Sequence, residues 1–169
     1  MANIRTIKES EAVKYAVGRS ILDEEDIIET ARNILTQRSK QRLEKGSFTN
    51  PVMVKQYLRE LTMGLDVEKF YTVLLDSQHR IIEVDETFSG TINAAAVYPR
   101  EIVKRALKVG AAAVIVAHNH PSGVAEPSQA DQRVTTRIKN ALETVDISLL
   151  DHFVVGDIEI VSFAERGIL

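Results

Sequence analysis

Seven consecutive apolar residues, Ala111-Ala112-Ala113-Val114-Ile115-Val116-Ala117, constrain this chain more than any other feature. A run of this kind reads as a buried strand, and its end carries His118-Asn119-His120. Side chains two apart on a strand share a face, so His118 and His120 point one way and Asn119 the other. Pro121, Ser122 and Gly123 then break the strand into a loop, Gly123 because it accepts a backbone conformation that other residues resist. Pro127-Ser128-Gln129-Ala130-Asp131 follows. Ser128 starts a helix expected to run to Thr144, and Asp131 falls in its first turn. A His-x-His at a strand end therefore faces an Asp at the next helix start across one gap.

Two readings of that gap stand side by side. Two imidazoles and a carboxylate, with a fourth position open, are the ligand set of a catalytic zinc, whose open position holds the reactive water. Ser128 with an acidic residue three positions on is also a helix N-cap, which stabilises a helix start with no chemistry at all. Spacing alone leaves both open, and Asp131 can serve both.

Cysteine is absent, so any metal must be held by histidine and carboxylate. The same absence excludes a disulfide framework and fits a reducing compartment. No stretch approaches the ~20 continuous apolar residues of a membrane span. Met1-Ala2-Asn3-Ile4-Arg5 lacks a signal-peptide core, so the expected location is the cytoplasm, with no membrane partner. The formal net charge of -3 argues against a chain that lives on nucleic acid. The densest basic run, Arg38, Lys40, Arg42 and Lys45, contains no aromatic residue and reads as a solvated helix face.

Along the chain, the first part reads as helical. Asp23-Glu24-Glu25-Asp26 is an acidic helix start, followed by Ile27, Ile28, Ala31, Ile34 and Leu35 at helical spacing. Gly46-Ser47-Phe48-Thr49-Asn50-Pro51 is the clearest break. Asn50 as cap and Pro51 at the first helical position predict a second helix to Met63, with Val52, Tyr57, Leu58 and Leu61 on its apolar side. Phe70–Asp76 is strand-like, Ser77-Gln78-His79 turns, and Arg80–Val84 returns, which predicts a hairpin. Phe88–Asn93 reads as a short further strand or loop. Pro99–Lys108 reads as a helix that packs Ile102, Val103 and Leu107 on the sheet. Ile147–Val155 and Ile158–Ser162 close the chain as two strands around Gly156-Asp157. Strands interspersed with helices predict an α/β fold around a single sheet, with residues 1–46 as an N-terminal helical extension and 47–169 as the domain.

The words around the histidines carry a family resemblance. His118-x-His120, ten residues, then Asp131, with Ser128 three before it, resembles the JAMM (MPN+) zinc metalloprotease signature. Phe88-Ser89-Gly90-Thr91-Ile92-Asn93, Tyr98-Pro99-Arg100-Glu101-Ile102-Val103, Ala117-His118-Asn119-His120-Pro121-Ser122-Gly123, Asp151-His152-Phe153-Val154-Val155-Gly156 and Ser162-Phe163-Ala164-Glu165-Arg166-Gly167 are similar to the bacterial RadC family. The resemblance covers Val54 to Leu169. Long RadC proteins carry an N-terminal helix-hairpin-helix region with no evident copy here, so the chain reads as a short RadC-like form.

The resemblance implies a mixed-sheet, cytidine-deaminase-like MPN (JAB) domain. It implies one Zn²⁺ held by His118, His120 and Asp131, with water as fourth ligand. It also implies a general base, supplied in JAMM enzymes by a Glu from an upstream strand. Glu68, Glu83 and Glu86 are the candidates, and Glu68, in Glu68-Lys69-Phe70, matches the family's Glu-x-Phe. Ser128 matches the serine that steadies the oxyanion. His152 is read first as a structural hydrogen-bonding residue and second as a partner that orients the site. His79 falls in a turn, and Arg100 and Glu101 are given no chemistry.

The function these readings favour is a JAMM-type zinc hydrolase, a metallopeptidase acting on a peptide or isopeptide bond in a protein or peptide substrate. Two alternatives remain. One is a DNA repair or recombination accessory, the role attached to the RadC name, which charge and the missing N-terminal region weaken. The other is a zinc-stabilised interaction module, which would close the fourth position with His152 or another carboxylate. Self-association through the N-terminal helices is a further expectation.

Overall fold

The computed structural model describes residues 23–44, 51–90 and 97–169. The expected Asn50 cap, the expected domain boundary at residue 46, Lys45 and the Thr91-Ile92-Asn93 motif lie outside them. Helix α1 spans Glu24–Glu44, where the Asp23 carboxylate accepts the Asp26 N–H at 2.9 Å and three acidic residues fill the first turn. Helix α2 spans Pro51–Thr62. Strands β1 (Lys69–Leu75) and β2 (Ile81–Ser89) form the expected hairpin, with His79 at φ 58° in its turn. Helix α3 (Pro99–Val109), strand β3 (Ala113–Asn119), helix α4 (Gln129–Glu143), strand β4 (Ser148–Val155) and strand β5 (Ile160–Ser162) follow.

The strands form one mixed sheet in the order β2-β1-β3-β4-β5. Among the described strands only β3 and β4 run parallel, and α4 is the crossover between them. Strand β3 therefore lies at the centre, which is why all seven of its residues are buried. Its alternation divides the core. Val114 and Val116 pack with Phe70, Leu74, Ile102, Val134 and Ile138, under α3 and α4. Ala113, Ile115 and Ala117 pack with Val54, Tyr57, Leu58 and Phe153, under α2. By the same period of two, His118 continues the Val114–Val116 row and faces α4, which carries Asp131.

Three apolar residues sit where the sequence reading did not put them. Val52 is 72% exposed, because the buried stripe of α2 is Val54, Tyr57, Leu58 and the half-buried Leu61, which is the i, i+3, i+4, i+7 pattern and excludes it. Leu107 is 57% exposed, and Ala106 takes its place beside Ile102 against the sheet. Ile158 is exposed in the turn before β5, which starts only at Ile160. Phe88 and Ser89 belong to the end of β2 rather than to a separate strand.

Candidate metal centre

The site is built at the end of β3. Phe70 on β1 pairs with His118 and lies parallel to its ring at 6.0 Å between centroids, and the imidazole is fully buried. His120 is one residue past the strand. Its main-chain N–H donates to the Val155 carbonyl at 2.9 Å, which continues the sheet for one more bond. Its ring Nδ1 lies 2.7 Å from the Val124 carbonyl, which can only accept, so Nδ1 carries a proton and Nε2 is the atom that offers a lone pair when the ring is neutral. Asn119 turns away as expected: its amide accepts from the Lys69 N–H at 2.8 Å and donates to the Val67 carbonyl at 3.0 Å.

Asp131 comes from the other side of the gap. The sequence Ser128-x-x-Asp131 forms a reciprocal cap on α4: the Asp131 N–H donates to Ser128 Oγ at 3.1 Å, and the Ser128 N–H donates to Asp131 Oδ2 at 2.7 Å. The Ser128 hydroxyl adds a third bond, to Oδ2 at 2.6 Å. This leaves Oδ1 beside His118, 3.3 Å from its Nε2. The two Nε2 atoms are 3.0 Å apart, and His120 Nε2 is 3.7 Å from Oδ2. Two ligands held tetrahedrally at zinc distances lie roughly 3.3 Å apart, so the spacing of this donor set fits a zinc ion.

The electrostatics agree with that fit. Burial lowers His118 to about 4 and lowers His152 far below the ordinary histidine range, so both rings are neutral and His118 offers a lone pair. The Asp131 carboxylate raises His120, against the opposing effect of its half burial. Burial on its own would raise Asp131, but His120, His118 and the Ser128 donors together hold it below the usual carboxylate range. A carboxylate beside two imidazole nitrogens favours a positive charge at that point. A proton on His120 is the weak version of that charge, and metal binding would release it.

Glu68 stands just before β1, largely buried, with Oε1 4.0 Å from His118 Nε2. One ligand atom each from Glu68, His118 and His120 fall within 4.8 Å of one another. The other two candidate acids are engaged elsewhere: Glu83 pairs with Arg105, and Glu86 pairs with Lys69 at 2.8 Å. Arg100 pairs with its neighbour Glu101 at 3.3 Å. A groove of about 520 Å³ runs beside His120, walled by Arg59, Asp66, Pro121 and Asp157.

Two residues of the site carry more than the sequence reading gave them. His152 on β4 lies opposite Val116, and its Nε2 is 2.9 Å from His118 Nδ1, so it backs the candidate ligand directly and does not enter the fourth position. Thr135, which the sequence reading passed over, lies one turn after Asp131 on α4 and is 2.6 Å from His152 Nδ1. Its signal was the i+4 spacing from Asp131, which puts it on the same face of the helix.

A mixed five-stranded sheet covered by helices, with a His-x-His strand end facing an Asp at the next helix start, is the arrangement of a JAB-type domain. Residues 48–168 match the family model described as "RadC-like JAB domain", and the chain belongs to that family. Among its relatives, a UPF0758 protein of Shewanella denitrificans is 55% identical over 141 residues, covering 83% of this chain and 63% of that protein. A UPF0758 protein of Idiomarina loihiensis is 56% identical over 144 residues, covering 85% and 62%. The match thus spans less than two thirds of the length of these relatives.

Proposed function

We propose that this chain is a zinc-dependent hydrolase of the JAMM type that cleaves a peptide or isopeptide bond in a protein or peptide substrate. The observation that carries the reading is the convergence of two imidazole nitrogens and one carboxylate oxygen at zinc spacing, from His118, His120 and Asp131, with an acid, Glu68, 4.0 Å from His118 Nε2. One zinc per chain would supply a Lewis acid that polarises the scissile carbonyl and acidifies a water.

The chain's own groups do the rest. We assign the general base to Glu68, which takes a proton at Oε1 and returns it to the leaving nitrogen. Its position 4.0 Å from His118 Nε2 supports the assignment, as do the ion pairs that engage Glu83 and Glu86. Ser128 is exposed at the rim, and we assign its hydroxyl to the developing oxyanion, a contribution of ~2.7–4 kcal/mol by comparison with other such donors. Its proton rests on Asp131 Oδ2 and must turn toward the substrate for this role. Among the described residues no helix is long and apolar enough to cross a membrane, which suits the cytoplasmic location we propose.

The test is hydrolysis of a degenerate fluorogenic peptide library, with zinc measured on the same samples. Glu68→Gln should keep its zinc and lose hydrolysis, and His118→Ala should lose both. Activity retained in Glu68→Gln would sink the assignment of the base. Zinc retained in His118→Ala would sink the ligand set.

A further inference from the structure

We propose that His152 and Thr135 are positioning residues: a two-link hydrogen-bond relay, anchored on the Asp131 main-chain carbonyl, that locks His118 as its Nδ1–H tautomer and aims its Nε2 lone pair at Asp131 and His120. The proposal rests on the reading of this site as a cation site.

Thr135 Oγ1 lies 2.6 Å from the Asp131 main-chain oxygen. Two oxygens at that distance need a proton on the line, and only the hydroxyl has one. Thr135 has then spent its single proton and can only accept from His152, whose Nδ1 is 2.6 Å away, so His152 carries its proton on Nδ1. A neutral ring has one N–H, and the interior that encloses His152 completely disfavours a charged one. Nε2 of His152 is therefore an acceptor, and the 2.9 Å contact to His118 Nδ1 takes its proton from His118. The remaining lone pair of His118 is on Nε2, the atom 3.0 Å from His120 Nε2 and 3.3 Å from Asp131 Oδ1.

The relay also ties the ligands to each other. Its sink is the backbone of Asp131, so the carboxylate on α4 and the imidazole on β3 are set by one chain of bonds. Phe163, stacked on His152 at 4.6 Å, and Phe70, edge-on to it at 5.5 Å, wall the relay from water. His120 has a separate anchor of the same type, the Val124 carbonyl. Removing the Thr135 hydroxyl leaves the His152 Nδ1–H buried without an acceptor. The stable answer is for His152 to move its proton to Nε2 and for His118 to move its own to Nε2, which blocks the ligand atom.

The experiment uses the full chain, with Thr135→Val and Thr135→Ser beside the wild type. Zinc affinity is read by competition with a chelator. Histidine tautomers are read in the metal-free proteins by side-chain ¹⁵N NMR. The relay predicts Nδ1–H for His118 and His152 in the wild type and in Thr135→Ser, and Nε2–H in Thr135→Val. It predicts a loss of zinc affinity of about 10–100-fold in Thr135→Val and little change in Thr135→Ser, the size that loss of a partner behind a metal ligand typically produces. Wild-type affinity and tautomers in Thr135→Val would overturn the proposal, as would an equal loss in Thr135→Ser, which would mark a packing defect. Failure of the wild type to bind zinc would overturn the cation site, and the tautomers would still decide the relay: Nε2–H in the wild type refutes it.

Discussion

Gly156→Ala should weaken zinc binding although Gly156 is not itself a candidate ligand. Gly156 sits at the turn after β4, against the loop that follows the histidines. A Cβ there would lie 2.4 Å from the Gly123 carbonyl oxygen and 2.8 Å from the Ala125 nitrogen. Both are backbone atoms, so no flexible side chain can yield. Comfortable contacts between such atoms begin at roughly 3.5 Å, and the loop must retreat by about 1 Å. Val124 lies between the two displaced residues, and its carbonyl is the 2.7 Å acceptor that fixes the tautomer of His120. A stretch of that size takes the bond beyond hydrogen-bonding range. The same turn holds the loop through the Asp157 N–H, which donates to the Gly123 carbonyl at 3.0 Å. Gly156 is not at positive φ, so the effect is contact and not backbone strain. The expected zinc affinity loss is about 10–100-fold, with overpacking costing about 1–3 kcal/mol of stability. Chelator competition and thermal unfolding in EDTA read the two separately. Gly110→Ala is the control: at φ 68° and in open space, it should cost about 1–2 kcal/mol and leave zinc affinity alone. If both variants lose stability and neither loses zinc affinity, the loop clamp does not orient His120.

Further outcomes follow from the same geometry. Ser128→Ala removes the side-chain half of the α4 cap and should cost about 1 kcal/mol, a drop in melting temperature of about 2–4 °C in EDTA, and an unchanged value would mean the cap contributes nothing. Burial pushes the Tyr57 phenol up to about 12, so the folded state keeps a proton that the unfolded chain releases near its ordinary value of about 10. Stability should therefore be flat up to about pH 10 and fall as the pH rises toward 12, with roughly 2–3 kcal/mol of that fall due to this ring. Burial pushes the Tyr71 phenol up to about 12 as well, so urea unfolding at pH 9, 10 and 11 should show the decline reduced but not abolished in Tyr57→Phe, while an identical decline would contradict the share given to Tyr57. Ile138→Ala empties the fully buried centre between α4 and the sheet and should cost about 2–5 kcal/mol by denaturant midpoint, whereas a loss below about 1 kcal/mol would contradict the packing there.

What could be read from the chain was local. The Ser128 cap, the first turn that carries Asp131, the end of β3 and the common face of His118 and His120 all depend on neighbours within a few residues, and each stands where spacing put it. The hairpin was legible for the same reason. Apolar character failed as a guide at Val52, Leu107 and Ile158, because hydrophobicity alone does not say which side of a helix or turn meets the sheet. The strand order could not be read, since it pairs β1 with β3 across α3, and β3 with β4 across α4. The contact between His152 and His118 depends on that parallel pairing, and on a register slip between Val114 and Ile115 that sets Val116 opposite His152. Residue type marked His152 as notable, but only the register shows what it meets. In the sequence, family resemblance alone separates Glu68 from Glu83 and Glu86, and no spacing rule does so.

The most direct test of the central claim is the metal content of the purified, untagged protein by elemental analysis, with the His118→Ala/His120→Ala double variant beside it. About one zinc per chain is expected, lost in the variant. A protein that carries no tightly bound metal, even after reconstitution with zinc, would contradict it and return attention to the DNA-binding alternative.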